Sequence, residues 1–157
     1  MDSPGMRTWR IAIEESALDR SCEASRDSGG HWHKPGMAAL YVATTAELGV
    51  LEKFVHTDGD DPSLVLVAID LPDDPGLGRI VDIGELPEGW DQIPASGKAA
   101  TFGTRFLEEC KHLYMQVPST IVHEGANLVI NPAHPAYEQV RLQVVRPFSF
   151  DPRMFKR

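Results

Sequence analysis

The chain has 157 residues, with 15 basic and 23 acidic side chains and a formal charge of −8. That length suits one domain spanning 1–157 and is too short for a two-domain enzyme with a separate cofactor module. The acidic balance argues against direct nucleic-acid binding, which needs a basic face, but leaves room for a local basic pocket that takes a small anion. Hydrophobic residues at 42% place the chain among globular proteins rather than disordered ones. Cys22 and Cys110 sit in no C-x-x-C pair, so neither a disulfide framework nor a zinc site is expected, and reduced thiols fit a cytoplasmic protein. Met1 to Gly5 shows no basic and apolar leader. The longest apolar run, Leu64 to Ile69, falls far short of the ~20 residues of a membrane span.

Thr8 to Ile13 reads as a first strand and Glu14 to Ala24 as a short helix. Ser25 to Gly36 is a loop by composition, broken by Gly29-Gly30 and Pro35-Gly36, and it carries Trp32, His31 and His33. Ala38 to Ala43 is an apolar strand. Thr44 then fits an N-cap, with Glu47 completing a capping box. The following helix runs to Val55 or His56, with Leu48, Leu51 and Val55 on one stripe. Glu52 and His56, four apart, share its flank, and Gly49 beside them leaves room for a ligand or a second backbone.

Leu64 to Leu71 reads as a central strand, Pro72 to Gly78 as a turn and Arg79 to Ile83 as a short strand. Leu86 to Ser96 is irregular. Lys98 to Met115 reads as a helix, with Phe102, Phe106, Cys110 and Leu113 at helical spacing, ended by Pro118-Ser119. Ser119 to His123 and Asn127 to Asn131 form a hairpin by pattern. Pro132 to Pro135 is a turn, and Val140 to Phe150 a last strand broken by Pro147. Strands outnumber helices without alternating with them, so the class is α+β.

Taken singly, the chemical signals are weak. Gly76-Leu77-Gly78 lacks the third glycine of a nucleotide loop and opens no helix. His31-x-His33 offers two imidazoles but no third ligand, so no metal is expected. Ser119 lies in no G-x-S-x-G elbow.

Their order is more specific. The series comprises Gly29-Gly30-His31-Trp32, Leu40-Tyr41-Val42-Ala43, Leu51-Glu52 with His56, Val117-Pro118-Ser119, Asn127 with Asn131-Pro132-Ala133-His134-Pro135, and Pro147-Phe148-Ser149-Phe150-Asp151-Pro152-Arg153. From about Trp9 to Arg153 this resembles the RES domain, named for its arginine, glutamate and serine. The resemblance implies a toxin of a bacterial toxin–antitoxin module with a compact ADP-ribosyltransferase-like fold, having a mainly antiparallel, split β core and flanking helices. It implies NAD as substrate, with the ADP-ribose passed to a protein or, as an alternative, to water or phosphate. It also implies an Xre-like antitoxin partner that covers the NAD pocket.

By the same resemblance, Glu52, Tyr41 and Ser119 are the expected catalytic residues. Cleavage of the nicotinamide–ribose bond creates an oxocarbenium-like sugar that a carboxylate stabilises, which is the role expected of Glu52. Tyr41 is expected to stack on nicotinamide, and Ser119 to hold a polar group of the substrate. Arg10, His31, Trp32, His56 and Asn131 are the expected substrate-binding residues, and His134 with Asn131 is expected to shape the pocket wall. The family usually has arginine at the position of His31, where a guanidinium fork suits a pyrophosphate and an imidazole does not. Three readings stand: Arg10 carries the phosphate contact alone, His31 serves natively in a weaker enzyme, or His31 attenuates a lethal toxin, the last being the one favoured here. A non-enzymatic module that only binds the antitoxin is the reading of another class.

Overall fold

A computed structural model describes residues 5–156. Residues 1–4, on which most of the N-terminal reading rests, lie outside the described residues, as does 157. Among the described residues, seven strands form one sheet: β1 (Arg7–Ile13), β2 (Leu40–Ala43), β3 (Leu64–Asp70), β4 (Gly78–Ile80), β5 (Tyr114–Pro118), β6 (Ala126–Ile130) and β7 (Arg141–Phe148). Their order is β4-β5-β6-β2-β1-β3-β7. β4 and β5 are parallel, and every other neighbouring pair is antiparallel. Three helices accompany them: α1 (Glu23–Ser28), α2 (Ala46–Phe54) and α3 (Lys98–Glu109). The architecture is α+β, as expected. No described helix is long and apolar enough to cross a membrane.

β3, expected to be central, is instead the strand next to the edge strand β7, and its sequence is apolar because both of its faces are covered. Leu64 to Ile69 are all buried, and the strand pairs along its length with β1 and β7. Period-two alternation then divides the core between the faces of the sheet. Leu40, Val42, Val65, Val67, Leu128 and Ile130 join one large cluster on one face. The opposite face has two separate covers. α3, with Phe106 and Leu107, packs with Met115, Val117 and Val129. Val50 of α2 packs with Ile11, Leu64 and Leu66. Between these covers, β1 and β2 share a single register pair, Trp9 opposite Ala43. The sheet is least closed there, and that gap is where a cavity opens.

Several boundaries differ from the sequence expectation, each for a local reason. The helix expected over Lys98 to Met115 stops at Glu109, because Cys110 turns left-handed at φ 51°. That C-terminal conformation normally calls for glycine, so the sequence carries no stop signal, and Tyr114 to Pro118 becomes a strand. The helix expected over Glu14 to Ala24 is a 3-10 turn at Glu14–Ser16, followed by α1, which starts at the end of the expected helix and runs into the segment expected to be loop. The N-cap of α2 is Thr45, whose side chain accepts from the Leu48 N–H at 3.1 Å. Thr44 instead donates its hydroxyl to the Ala126 carbonyl at 2.9 Å. Pro147 sits within β7, opposite Val65, and does not break it. β7 is an edge strand, where proline is tolerated.

Candidate active site

The cavity holds about 720 Å³, within the ~300–1,000 Å³ range of small-molecule sites. β1 contributes Arg10, β2 contributes Tyr41, α2 contributes Glu52, and β6 contributes Asn127. The Gly29–Trp32 turn closes one side, and His56 lies just past the end of α2. Arg10, His31, Trp32, Tyr41, Glu52 and His56, dispersed over 47 positions of sequence, therefore line one void.

Glu52 is the best-fixed polar group in it. Its Oε1 accepts from the Ser119 hydroxyl at 2.8 Å and from the Asn127 amide at 2.6 Å. Ser119 is itself oriented, since its oxygen accepts from the Ile121 and Val122 N–H groups at 3.1 and 3.3 Å. Two donors converging on one carboxylate oxygen hold the side chain in one rotamer and leave Oε2 for a ligand.

Tyr41 is fixed by a chain of bonds that accounts for all its polar capacity. The Trp32 N–H donates to Tyr41 Oη at 2.9 Å, and the Tyr41 hydroxyl donates to His33 Nδ1 at 2.6 Å. His33 Nε2 donates to the Ser25 carbonyl at 3.0 Å, beside Ser25 Oγ at 3.1 Å. Burial pushes the Tyr41 hydroxyl well above the ordinary tyrosine value, so it stays protonated. What Tyr41 offers the cavity is its ring rather than an acid or a base. A side chain on Gly30 would run into that hydroxyl, 2.6 Å from where a Cβ would sit.

His33 is buried, and burial holds it below the ordinary histidine value of 6.5. It therefore stands neutral with its proton on Nε2, the only tautomer that lets Nδ1 accept from Tyr41. Both nitrogens are committed, which leaves none for a metal. The unfolded chain takes up a proton that the folded one refuses. Stability is accordingly full above about pH 6.5 and falls as pH drops below it. His33→Gln is expected to flatten this fall, checked by melting temperatures at about pH 7.5 and pH 5.5. A slope equal to that of the parent protein would contradict the neutral assignment.

His31 takes a different partner. Its Nε2 donates to the Trp90 carbonyl at 2.7 Å. Trp90 in turn stacks on Trp32, with centroids 5.8 Å apart. The two rings tie the irregular 86–97 segment to the Gly29–Trp32 turn, and Ile93 of that segment borders the cavity.

Arg10 borders the cavity through β1, but strand alternation turns its side chain to the other face of the sheet, opposite Val67 and near Cys22 and Tyr137 of the large cluster, and its guanidinium has no hydrogen bond or ion pair among the described residues. Burial holds it below the ordinary arginine value. A partly buried cation without a counter-ion is unfavourable until an anion joins it. Lys53, by contrast, already pairs with Asp61 at 3.6 Å.

Three expected residues are elsewhere. Ser119 is fully buried behind Glu52 and does not line the cavity, so it reaches a substrate only through that carboxylate. Asn131 is buried beyond the far end of β6. Its amide donates to the Leu107 carbonyl at 3.1 Å and its oxygen accepts from the Ala133 N–H at 3.0 Å. It holds a turn with His134, whose Nδ1 accepts from the Ala136 N–H at 3.1 Å, and neither lines the pocket. The His56 ring borders the cavity but makes no hydrogen bond to Glu52. Asn127 was part of a quoted motif without a role. Only its register, opposite Ala43 and Val117 on β6, brings it beside Glu52.

Comparison with known proteins places the chain in a family. A sequence model described as the RES domain matches residues 7–152. A Sphingobium sp. (strain YBL2) protein named "Prs ADP-ribosylating toxin" is 36% identical, over 95% of this chain and 96% of its own. A "Toxin Res" of Pseudomonas putida is 32% identical over 96% of this chain and all of its own length. In three dimensions the chain resembles one in the crystal structure of the M. tuberculosis MbcT–MbcA toxin–antitoxin complex. The TM-score is 0.68 over 99% of this chain and 89% of that one, at 18% identity, a likeness of fold.

Proposed function

The chain is a toxin of the RES domain family, and we propose that it consumes NAD, cleaving the nicotinamide–ribose bond and transferring ADP-ribose to a bacterial protein. The observation that carries this reading is a carboxylate, Glu52, clamped through one oxygen and free at the other, on the wall of a cavity that Tyr41 also lines. The name of the Sphingobium relative supports transfer to a protein.

The chemistry follows from these groups. The bond between ribose C1′ and the nicotinamide nitrogen breaks, and its electron pair leaves with nicotinamide, which becomes neutral. Positive charge develops on the ribose, and the free oxygen of Glu52 stabilises it. A nucleophile on the acceptor then attacks C1′ and gives up its proton. The Tyr41 ring provides a face for nicotinamide. Arg10→Ala is expected to leave the KM for NAD within about twofold of the parent value, because strand alternation puts the Arg10 side chain on the face of β1 away from Glu52. Steady-state rates of nicotinamide release check this.

The partner in this reading is a cognate, Xre-like antitoxin that covers the cavity mouth, with both proteins in the cytoplasm and residues 1–157 acting as one domain. Val55, Ile93 and Ile121 border the cavity and are 54%, 75% and 37% exposed, which favours a largely apolar contact. Adenine-labelled NAD incubated with the protein and a bacterial lysate tests the acceptor. Label on a discrete protein band supports transfer. Label only in small molecules replaces it with hydrolysis or phosphorolysis. A parallel run with His31→Arg tests the engaged His31: equal or lower activity supports its built-in role, whereas activity in the arginine version alone identifies His31 as attenuating.

A further inference from the structure

The two asparagines of the β6 region make opposite use of their amides. Asn131 satisfies both ends, as a structural asparagine does. Asn127 donates its Nδ2 to Glu52 Oε1 at 2.6 Å, while its Oδ1 is buried without a hydrogen-bond partner. Flipping the amide would set oxygen against a carboxylate oxygen, so the donor orientation is fixed and the orphaned acceptor is its consequence. A residue chosen for stability alone would avoid that orphan. Moreover, Asn127 stands on a strand paired on both sides, opposite Ala43 of β2 and Val117 of β5, so its donor has a fixed position.

We propose that Asn127 is a positioning residue for the Glu52 carboxylate, acting with Ser119 to occupy Oε1 so that Oε2 alone faces the ribose. This rests on the reading of the cavity as the site of NAD cleavage. A carboxylate held by one donor can swing about its last torsion. Two donors at 2.6 and 2.8 Å on the same oxygen prevent that. The effect belongs to the transition state, because only there does the sugar carry the charge that Oε2 meets. Loss of Asn127 therefore acts on kcat more than on KM.

The test is nicotinamide release from NAD by the full chain, as kcat and KM from about pH 5.5 to pH 8.5. Asn127→Ala is expected to lower kcat by roughly 10- to 100-fold and to change KM by about twofold or less. Asn127→Asp gives a sharper outcome. It sets a second carboxylate against Glu52 at hydrogen-bond distance, where both cannot be ionised and the pair must share a proton. When the pair holds that proton, the aspartic O–H donates to Oε1 and restores the clamp. Its kcat is therefore expected to rise at least about tenfold from pH 8.5 to pH 5.5, relative to the parent protein and to Asn127→Ala. A parent-like kcat in Asn127→Ala, or a parent-shaped pH profile in Asn127→Asp, overturns the proposal. If Asn127→Asp does not fold, as seen by its melting curve, the kcat and KM of Asn127→Ala decide alone. Glu52→Gln in the same assay separates the two levels. Full activity there defeats the reading of the site, whereas an inactive Glu52→Gln beside an unaffected Asn127→Ala defeats only the role of Asn127.

Discussion

Glu52→Gln is expected to lower NAD consumption by roughly a hundred- to a thousandfold, the scale of a lost electrostatic contact to a transition state, while leaving the melting temperature nearly unchanged. Two effects combine. The negative charge that meets the developing positive sugar is gone. In addition, the clamp determines how the glutamine sits. Ser119 and Asn127 both donate to the inner position, so the amide oxygen takes that place and the NH₂ turns toward the cavity. A donor then stands where an acceptor is required. The fold survives, because the inner oxygen still accepts both bonds. Single-turnover nicotinamide release, read beside a thermal melt, checks both halves. A drop in melting temperature matching the drop in activity would mean that Glu52 is structural instead.

Gly103→Ala is expected to be the most destabilising of the changes considered. Gly103 lies in α3, where the helix meets the backbone of the Gly29–Trp32 turn. An added Cβ would collide with the Trp32 carbonyl oxygen, which is main chain and cannot rotate aside. Overpacking of this kind costs about 3 kcal/mol, or a fall of roughly 6–12 °C in melting temperature for a chain of this size. Activity should fall as well, since the adjacent Trp32 N–H is a donor to Tyr41. Gly84→Ala is the matched control. Nothing lies within 4 Å of its added methyl, so its stability should stay within about 0.5 kcal/mol of the parent. Equal melting temperatures for the two variants would show that α3 can shift away from the turn at little cost.

Much of the fold could be read from the residues. The apolar run at Leu64 to Ile69 marked a strand buried on both faces, though not its place beside the edge strand β7, and the 3–4 spacing about Leu48 and Leu51 marked α2. The end of α3 was illegible because a cysteine, not a glycine, takes the left-handed turn, while Leu113 continues the helical spacing into the segment that leads to β5. Of the candidate site, Glu52, Tyr41, His31, Trp32 and His56 were picked out by motif order, and all line the cavity, whereas Arg10, expected from the family resemblance alone, borders it with its side chain on the other face of the sheet. Ser119 was read as touching substrate because a motif conveys a residue's company and not its depth. Its burial behind Glu52 follows from its place just past β5, where the chain turns under α2. Asn131 was misplaced for the same reason: it stands beyond the strand that carries Asn127, and only the register of β6 decides which of the two meets Glu52. His33, weighed only as a metal ligand, proved to be the acceptor that fixes Tyr41.

The central claim is that this cavity cleaves NAD through Glu52. Its most direct test is the release of nicotinamide from NAD by the purified chain, followed by chromatography, with Glu52→Gln alongside. The account predicts release by the parent protein and near-background release by the variant. NAD left intact by the parent protein, with or without a lysate to supply an acceptor, would contradict it and leave antitoxin binding as the role of the domain.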